Sequence, residues 1–419
     1  MLTLVEPECY AHVACRAERV SVMAKRLNSV LGVDIGSQSV KVAEIRLQGG
    51  QPVITALGMA PTPPGAVDHV GINDPEQIAV ALKQAVMESG ASVPDAVSSL
   101  FGQGSVLVRP LEVPNMSESE LKDHMAWEFT RNIPFAESTV ESDFKAYPLA
   151  DPASQNLDVV MALATRSGVE MQVDLLKRAG KKTHALDVEP LSVLRSMAAS
   201  YGSESGSKTV CVAEIGHKTT SINIFKNERL LFARSVPVGG EMFTRAIADA
   251  KGVSFDDAER MKHEQLSLPE DATPAPTFNP FAGSAPVASY NPFADASEPT
   301  MASDAPPTAV PDVTPEIRDD NGLYTAVANA LDELVAELRR SVDYYKTKGG
   351  EVDMMMITGG SSQMKNLDKF LGSALGISVE LMDPYRNVSM SLKKGDPAEY
   401  ERMKQTFSVA IGNGMHICF

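Results

Sequence analysis

Three short stretches combine glycine with hydroxyl or acidic side chains as a phosphate-binding turn requires. They are Asp34-Ile35-Gly36-Ser37-Gln38-Ser39, Glu214-Ile215-Gly216-His217-Lys218-Thr219-Thr220 and Gly359-Gly360-Ser361-Ser362. Glycine lets backbone N–H groups close on an anion, and Ser or Thr adds hydroxyl donors. An acid at a strand end beside such a turn can hold Mg²⁺ through water, which makes Asp34 and Glu214 the candidate metal-side acids. Two such turns facing each other would grip a triphosphate from both sides. One alone is ordinary turn chemistry; three in this order carry far more weight. Lys41 either reaches a phosphate or lies on the exposed side of a strand. His217 either contacts phosphate or is an ordinary turn residue.

The elements that must position these turns read as alternating strands and helices, an α/β pattern. Val30–Asp34 is one strand, and a second run holds Val40, Val42, Ile45 and Leu47. Val210–Glu214, Ser221–Phe225 and Leu230–Ala233 form a similar group, with Asn227-Glu228 as a hairpin turn. Strand, glycine-containing turn, strand therefore occurs twice, a weak internal repeat. Leu323, Val327, Leu331, Leu334, Leu338, Val342 and Tyr345 make one apolar stripe, which predicts a helix ended by Gly349-Gly350. Val352–Ile357 follows as a buried strand leading into the third turn, with a helix from about Met364. Ser117 and Glu120 form a capping box before a helix whose inner face is Leu121, Met125 and Phe129, with Pro134 stopping it. Trp127 is read as packing in that segment or as the border of a peptide groove.

Composition bounds the rest. The chain has 419 residues, 43% apolar and 22% charged, with a formal net charge of -16. That length supports two or three domains, and the acidic balance argues against nucleic-acid partners. The longest apolar run, Val159–Ala164, suits a buried strand and is far too short to span a membrane. The four cysteines, Cys9, Cys15, Cys211 and Cys418, form no CxxC pair, which suggests a reducing cytoplasm. The first 22 residues read as a dispensable or disordered extension, with Met23 a natural start. Residues 266–316 are rich in Pro, Ala, Ser, Thr and Asp and are expected to be a disordered loop. Within them Phe278-Asn279-Pro280-Phe281-Ala282 recurs as Tyr290-Asn291-Pro292-Phe293-Ala294, a docking motif or a local duplication of turn residues.

The stretch Asp34–Lys41 resembles the first phosphate motif of the actin, Hsp70 and FtsA superfamily, in the wording of the PilM family of type IV pilus assembly proteins. Glu214–Thr220 falls at the second phosphate motif and Gly359-Gly360-Ser361 at the adenosine motif. Glu189-Pro190 and Ala410-Ile411-Gly412 resemble the two connecting segments. Arg109–Leu121, Trp127-Glu128 and Asn132–Phe135 resemble the small inserted domain of PilM, and Val236–Gly240 also matches its wording.

The resemblance implies an actin-like fold: two ribonuclease-H-like α/β domains with a small α+β (FtsA 1C/SHS2-like) insertion. The expected boundaries are an extension at 1–26, a first domain at 27–104 continuing at 157–206 and 400–419, an insertion at 105–156 and a second domain at 207–399. It implies ATP and Mg²⁺ as ligands. ATP would meet Asp34, Gly36, Ser37, Gln38, Ser39, Lys41, Gly216, Thr219, Thr220, Gly240, Glu259, Lys262, Gly359, Gly360 and Ser361. Mg²⁺ would be held through water by Asp34 and Glu214, and Glu189 and Glu214 would serve any weak ATPase. Asp187 near Glu189 is either a second acid for water activation or an ordinary loop acid. The family usually has Asp where Glu214 stands, which predicts slow hydrolysis.

The implied role is recruitment of the short cytoplasmic tail of a PilN-like inner-membrane protein, beside the insertion and together with other pilus assembly components. The protein would be cytoplasmic and peripheral at the inner membrane, without inserting into it. Competing readings are an FtsA-like cell-division protein, a type II secretion homologue, a sugar kinase and a scaffold that binds no nucleotide. The irregular ending Gly414–Phe419 argues against an FtsA-like membrane helix.

Overall fold

A computed structural model describes residues 27–100, 102–136, 139–148, 154–270 and 322–419. The expected extension at 1–26 and the twin Asn-Pro-Phe motifs lie outside the described residues.

In chain order the elements begin β1 (Ser29–Ile35), β2 (Ser39–Gln48), β3 (Gln51–Pro61), α1 (Pro75–Ser89), β4 (Asp95–Leu100), β5 (Val106–Pro114) and α2 (Glu118–Arg131). β6 (Val140–Ala146), β7 (Asn156–Thr165), α3 (Arg166–Arg178), β8 (Lys182–Val188), α4 (Glu189–Tyr201) and α5 (Ser203–Gly206) follow. The second half holds β9 (Val210–Ile215), β10 (Thr220–Lys226), β11 (Arg229–Val236), α6 (Gly240–Lys251), α7 (Phe255–Glu264), α8 (Leu323–Thr347) and β12 (Met354–Thr358). It closes with α9 (Leu367–Leu375), β13 (Val379–Leu381), β14 (Ser389–Met390), α10 (Pro397–Arg402) and α11 (Ser408–Gly414).

Two large sheets repeat one plan. The first runs β14-β3-β2-β1-β4-β8 and the second β11-β10-β9-β12-β13. In each, three antiparallel strands are followed by two parallel ones, and the first sheet adds β14, parallel to β3, at its edge. The internal repeat read from the two strand–turn–strand units is this shared plan. Parallel pairing at β1–β4 and β9–β12 needs crossover connections, and these carry the helices. Asn227 and Glu228 adopt φ of 50° and 58°, so the β10–β11 turn is the left-handed two-residue type that a right-twisted hairpin favours.

Helix α11 lies against β1 and α4, holding the two connecting segments together. A Cβ on Gly412 would sit 1.8 Å from the Ser192 carbonyl oxygen, so only glycine permits this approach.

A third sheet, β5-β7-β6, packs under α2. Ser117 accepts from the Glu120 N–H while Glu120 accepts from the Ser117 N–H, closing the capping box. Leu121 and Met125 are buried, and the helix ends at Arg131, two residues before the Ile133-Pro134 pair. Trp127 is 54% exposed, with the Arg131 guanidinium 4.7 Å from its ring centre, so it is not core packing.

Several expectations need correction. The inserted sheet does not end at residue 156: β7 is its central strand and runs to Thr165. The second domain does not extend to 399, because β14 already pairs with β3 of the first sheet. Residues 266–270 are described as packed rather than loose: Leu266 and Leu268 are buried, and the Leu268 N–H donates to the Lys365 carbonyl. The remainder of the expected loop, from 271, lies outside the described residues. The strand before the third turn starts at Met354 rather than Val352, and a short 3-10 turn over Gly360–Gln363 delays the next helix to Leu367.

Candidate nucleotide site

The first two turns have the same backbone plan. The Gly36 N–H donates to the Ser39 carbonyl at 3.1 Å, and the Gly216 N–H donates to the Thr219 carbonyl at 2.9 Å. Each closes a hairpin leaving the central pair of a sheet, β1–β2 or β9–β10. They face each other closely: Ser37 Oγ and His217 Nδ1 lie 3.5 Å apart. The third turn is fastened to the second, since the Ser361 hydroxyl donates to the Gly216 carbonyl at 2.8 Å. Gly359 makes this possible with φ of 87°, and a Cβ there would meet the Ile215 carbonyl oxygen at 2.5 Å.

Between the turns is a cavity of about 390 Å³. Asp34, Gly36, Ser37, Gln38, Ser39 and Lys41 line it from the first sheet, with Glu189 from the start of α4. Glu214, Gly216, Thr219, Glu259, Lys262, Gly360 and Ser361 line it from the second. Three expected residues do not reach it. The Thr220 hydroxyl is buried and donates to the Val238 carbonyl at 2.7 Å. Strand alternation explains this, because within β10 Thr220 shares the face of Ile222 and Ile224, which enter the core. Gly240 and Gly359 stand behind the lining, where Gly240 leaves room for the Ser361 hydroxyl and Gly359 for the Ile215 carbonyl. Sequence reasoning undervalued His217 and Lys218, which both line the cavity, and missed Gln363 and Thr406.

Charge is distributed unevenly. Lys41 donates to Asp34 at 2.8 Å, so that acid has its counter-ion. Glu214 has none. Its carboxyl opens onto the cavity but is surrounded by protein, and burial pushes its pKa well up, with Glu189 and Asp34 adding to the rise. Burial likewise raises Glu189, opposed by a Ser221 hydrogen bond and reinforced by Asp34. The Oε1 of Glu189 has no hydrogen-bond partner in the protein. Burial lowers the His217 pKa, keeping the imidazole neutral. Asp187 is neither a water-activating partner of Glu189 nor an exposed acid: it is fully buried and ion-paired with Arg195.

At the other end, Lys262 is 2% exposed and donates to Glu259 at 2.8 Å and Thr244 at 2.9 Å. Burial alone would raise Glu259, but the His263, Lys262 and Thr244 donors hold it far below the usual range. No three His, Cys, Asp or Glu side chains among the described residues are grouped to hold a metal ion directly. A second cavity of about 360 Å³ adjoins the first, sharing Glu189 and Thr219. It runs between β5 and β11, the facing edges of the third and second sheets, with Leu107, Pro134 and Arg234 in its walls. Asn223 is fully buried in its lining, with neither side-chain amide atom partnered. No helix among the described residues is long and apolar enough to cross a membrane.

A family model for the type IV pilus assembly protein PilM matches residues 32–285, and one for the cell division protein FtsA matches residues 211–412. The chain superposes on a chain of a PilM-PilN type IV pilus biogenesis complex with TM-score 0.72 at 24% identity, covering 94% of this chain and 99% of that one. This likeness establishes the expected actin-like fold. The ethanolamine utilization protein EutJ of Carboxydothermus hydrogenoformans gives a TM-score of 0.49 at 11% identity, over 92% and 89% of the two chains. MreB 5 of Spiroplasma citri bound to AMPPNP gives 0.44 at 11% identity, over 92% and 94%.

Proposed function

The chain belongs to the PilM family of type IV pilus assembly proteins, and from that premise we propose that it binds ATP with Mg²⁺ between its two phosphate turns and recruits the short cytoplasmic tail of a PilN-like inner-membrane protein. The observation that carries the nucleotide half is the pair of matched turns, 3.5 Å apart at Ser37 and His217, beside carboxylates that lack a counter-ion. A buried acid without a partner is costly, and an incoming cation removes that cost. Asp34 and Glu214 would reach Mg²⁺ through water, and the ion would neutralise phosphate charge. Ser37 and Thr219 offer donors to the phosphates on turns that the Gly36 and Gly216 N–H groups close, while Glu259 and Lys262 face the nucleoside. The longer Glu214 side chain shifts its carboxylate relative to an aspartate, so hydrolysis is slow and the protein acts mainly through binding.

The tail would dock in the groove between β5 and β11. An extended segment would add along the edge of one of these strands, and the Asn223 amide, which has no partner in the protein, offers a donor and an acceptor to a peptide group. This places the site beside the insertion but shared with the second domain. The protein would then work in the cytoplasm, held at the inner membrane through its partners.

Calorimetry tests both halves. Asp34→Ala should weaken ATP binding in Mg²⁺ by about 2–3 kcal/mol, roughly 30- to 150-fold, and leave tail-peptide affinity measured without nucleotide unchanged. Leu107→Glu in the groove should do the reverse. Equal ATP affinity in wild type and Asp34→Ala would remove the nucleotide site, and unchanged peptide affinity in Leu107→Glu would remove the groove.

A further inference from the structure

One element touches every part of the proposed mechanism. The β10–β11 hairpin starts at the second phosphate turn, where Thr219 lines the nucleotide cavity. Along β10, Ser221 and Asn223 face the groove, while Ile222 and Ile224 enter the core of the second domain. Along β11, Ala233 and Ser235 form a groove wall. At the tip the Asn227 N–H donates to the Gly206 carbonyl at 3.1 Å, and the neighbouring residues reach the inserted domain. Arg229 pairs with Asp158 of β7 at 2.9 Å and donates to the Pro148 carbonyl. Its guanidinium lies 5.6 Å from the ring centre of Tyr147. The Tyr147 hydroxyl accepts from the Leu230 N–H at 3.3 Å, and Tyr147 itself is only 6% exposed. These contacts bind the tip to the inserted sheet and to the loop that follows β6.

We propose that this hairpin is a strut that carries the nucleotide state of the cleft to the inserted domain, with Arg229 as the residue that fastens it. The proposal rests on the nucleotide reading above and names how that site would be regulated. Seven residues of β10 at about 3.3 Å each set the tip about 23 Å from the phosphate turn. A strand paired on both sides moves as a body, so a small rotation at the turn becomes a larger displacement at the tip. Because the tip is tied to β7 as well as to Gly206, that displacement moves the inserted sheet or changes the width of the groove between β5 and β11. Arg229 is a positioning residue: it touches neither cavity. Its side chain is 17% exposed and that of Asp158 46%, so the pair is shielded from water on the arginine side only. Coupling between sites needs an element that both sites bias, and the hairpin is physically continuous with both.

The test is hydrogen exchange on the full chain with and without saturating ATP and Mg²⁺. In the wild type, nucleotide should protect residues 215–220 and also change exchange in residues 106–114 and 156–165 of the inserted sheet. In Arg229→Met, protection at 215–220 should persist while the response of the inserted sheet falls to background. The charge swap Arg229→Glu with Asp158→Arg should restore the response, which a merely local packing role would not do. An inserted sheet that responds equally in Arg229→Met, or does not respond in the wild type, overturns the strut. A wild type in which 215–220 gains no protection overturns the nucleotide reading and the strut with it.

Discussion

Glu44 and Glu214 are the same residue type sunk into the same protein, and the fold treats them in opposite ways. Glu44, on β2, is fully buried and receives hydrogen bonds from Thr55, Arg46, Lys393 and the Ser92 N–H, all within 2.7 Å, with the Val93 N–H at 3.2 Å. Burial would raise its pKa, but these donors together bring it down to about 2. Glu214, at the end of β9, has two other carboxylates for neighbours and no counter-ion, and its pKa is raised. A completed set of donors marks a structural acid that ties β2 to the return segment at Lys393. An incomplete set marks a place where the missing partner comes from outside.

The largest expected effect breaks the structural side of this comparison. Glu44→Ala should cost about 3 kcal/mol in denaturant unfolding. That is the low end for a buried ion pair, because Lys393 and Arg46 keep 34% and 36% of their side-chain surface in water. Glu214→Gln should instead leave the nucleotide-free protein within about 1 kcal/mol of wild type at neutral pH, or more stable, since it makes the neutral form permanent. A loss as large as that of Glu44→Ala would show that Glu214 has a structural partner.

The pH dependence sharpens the contrast, because the signs differ. Glu44 has a folded pKa below its ordinary 4.5, so its contribution is present above 4.5 and is lost as pH falls from there through about 2. Glu214 has a folded pKa above 4.5, so the folded state holds the proton more tightly. Wild-type stability relative to Glu214→Gln should therefore fall as pH rises from 4.5 towards its folded value. Unfolding curves for both variants from about pH 2.5 to about 6.5 (about two units either side of an ordinary carboxylate) would show opposite trends, and parallel trends would contradict the assignment.

How much of this could be read in the sequence depends on how far apart the interacting residues lie. Local signals were legible: Ser117 and Glu120 close their capping box, and Asn227-Glu228 makes its turn, because each is decided within four residues. The order of the three glycine turns was legible as well, since strand-end chemistry is local. The end of the insertion was not, because the membership of β7 is set by pairing with β5 about fifty residues away, not by its own apolar pattern. Asp187 was ambiguous for a similar reason, as only the folded helix brings Arg195 to it. Thr220 was placed at the ligand by motif, and strand alternation turned it inward.

The smallest expected effect concerns rate. Glu214→Asp should raise a slow ATPase or leave it unchanged, because it withdraws the carboxylate by one methylene towards the usual position. A substantial wild-type activity abolished by this change would contradict the geometric argument.

The central claim is that ATP and Mg²⁺ enter the cleft beside acids whose pKa values burial raises, so that binding draws protons from them. Calorimetry of ATP with Mg²⁺ at pH 7, repeated in buffers of different ionisation enthalpy, reads this directly. The account predicts net proton release on binding by the wild type, and a smaller release in Glu214→Gln, where Glu189 alone keeps a raised pKa. Binding with no proton released by the wild type, or with the same release in both proteins, would contradict it.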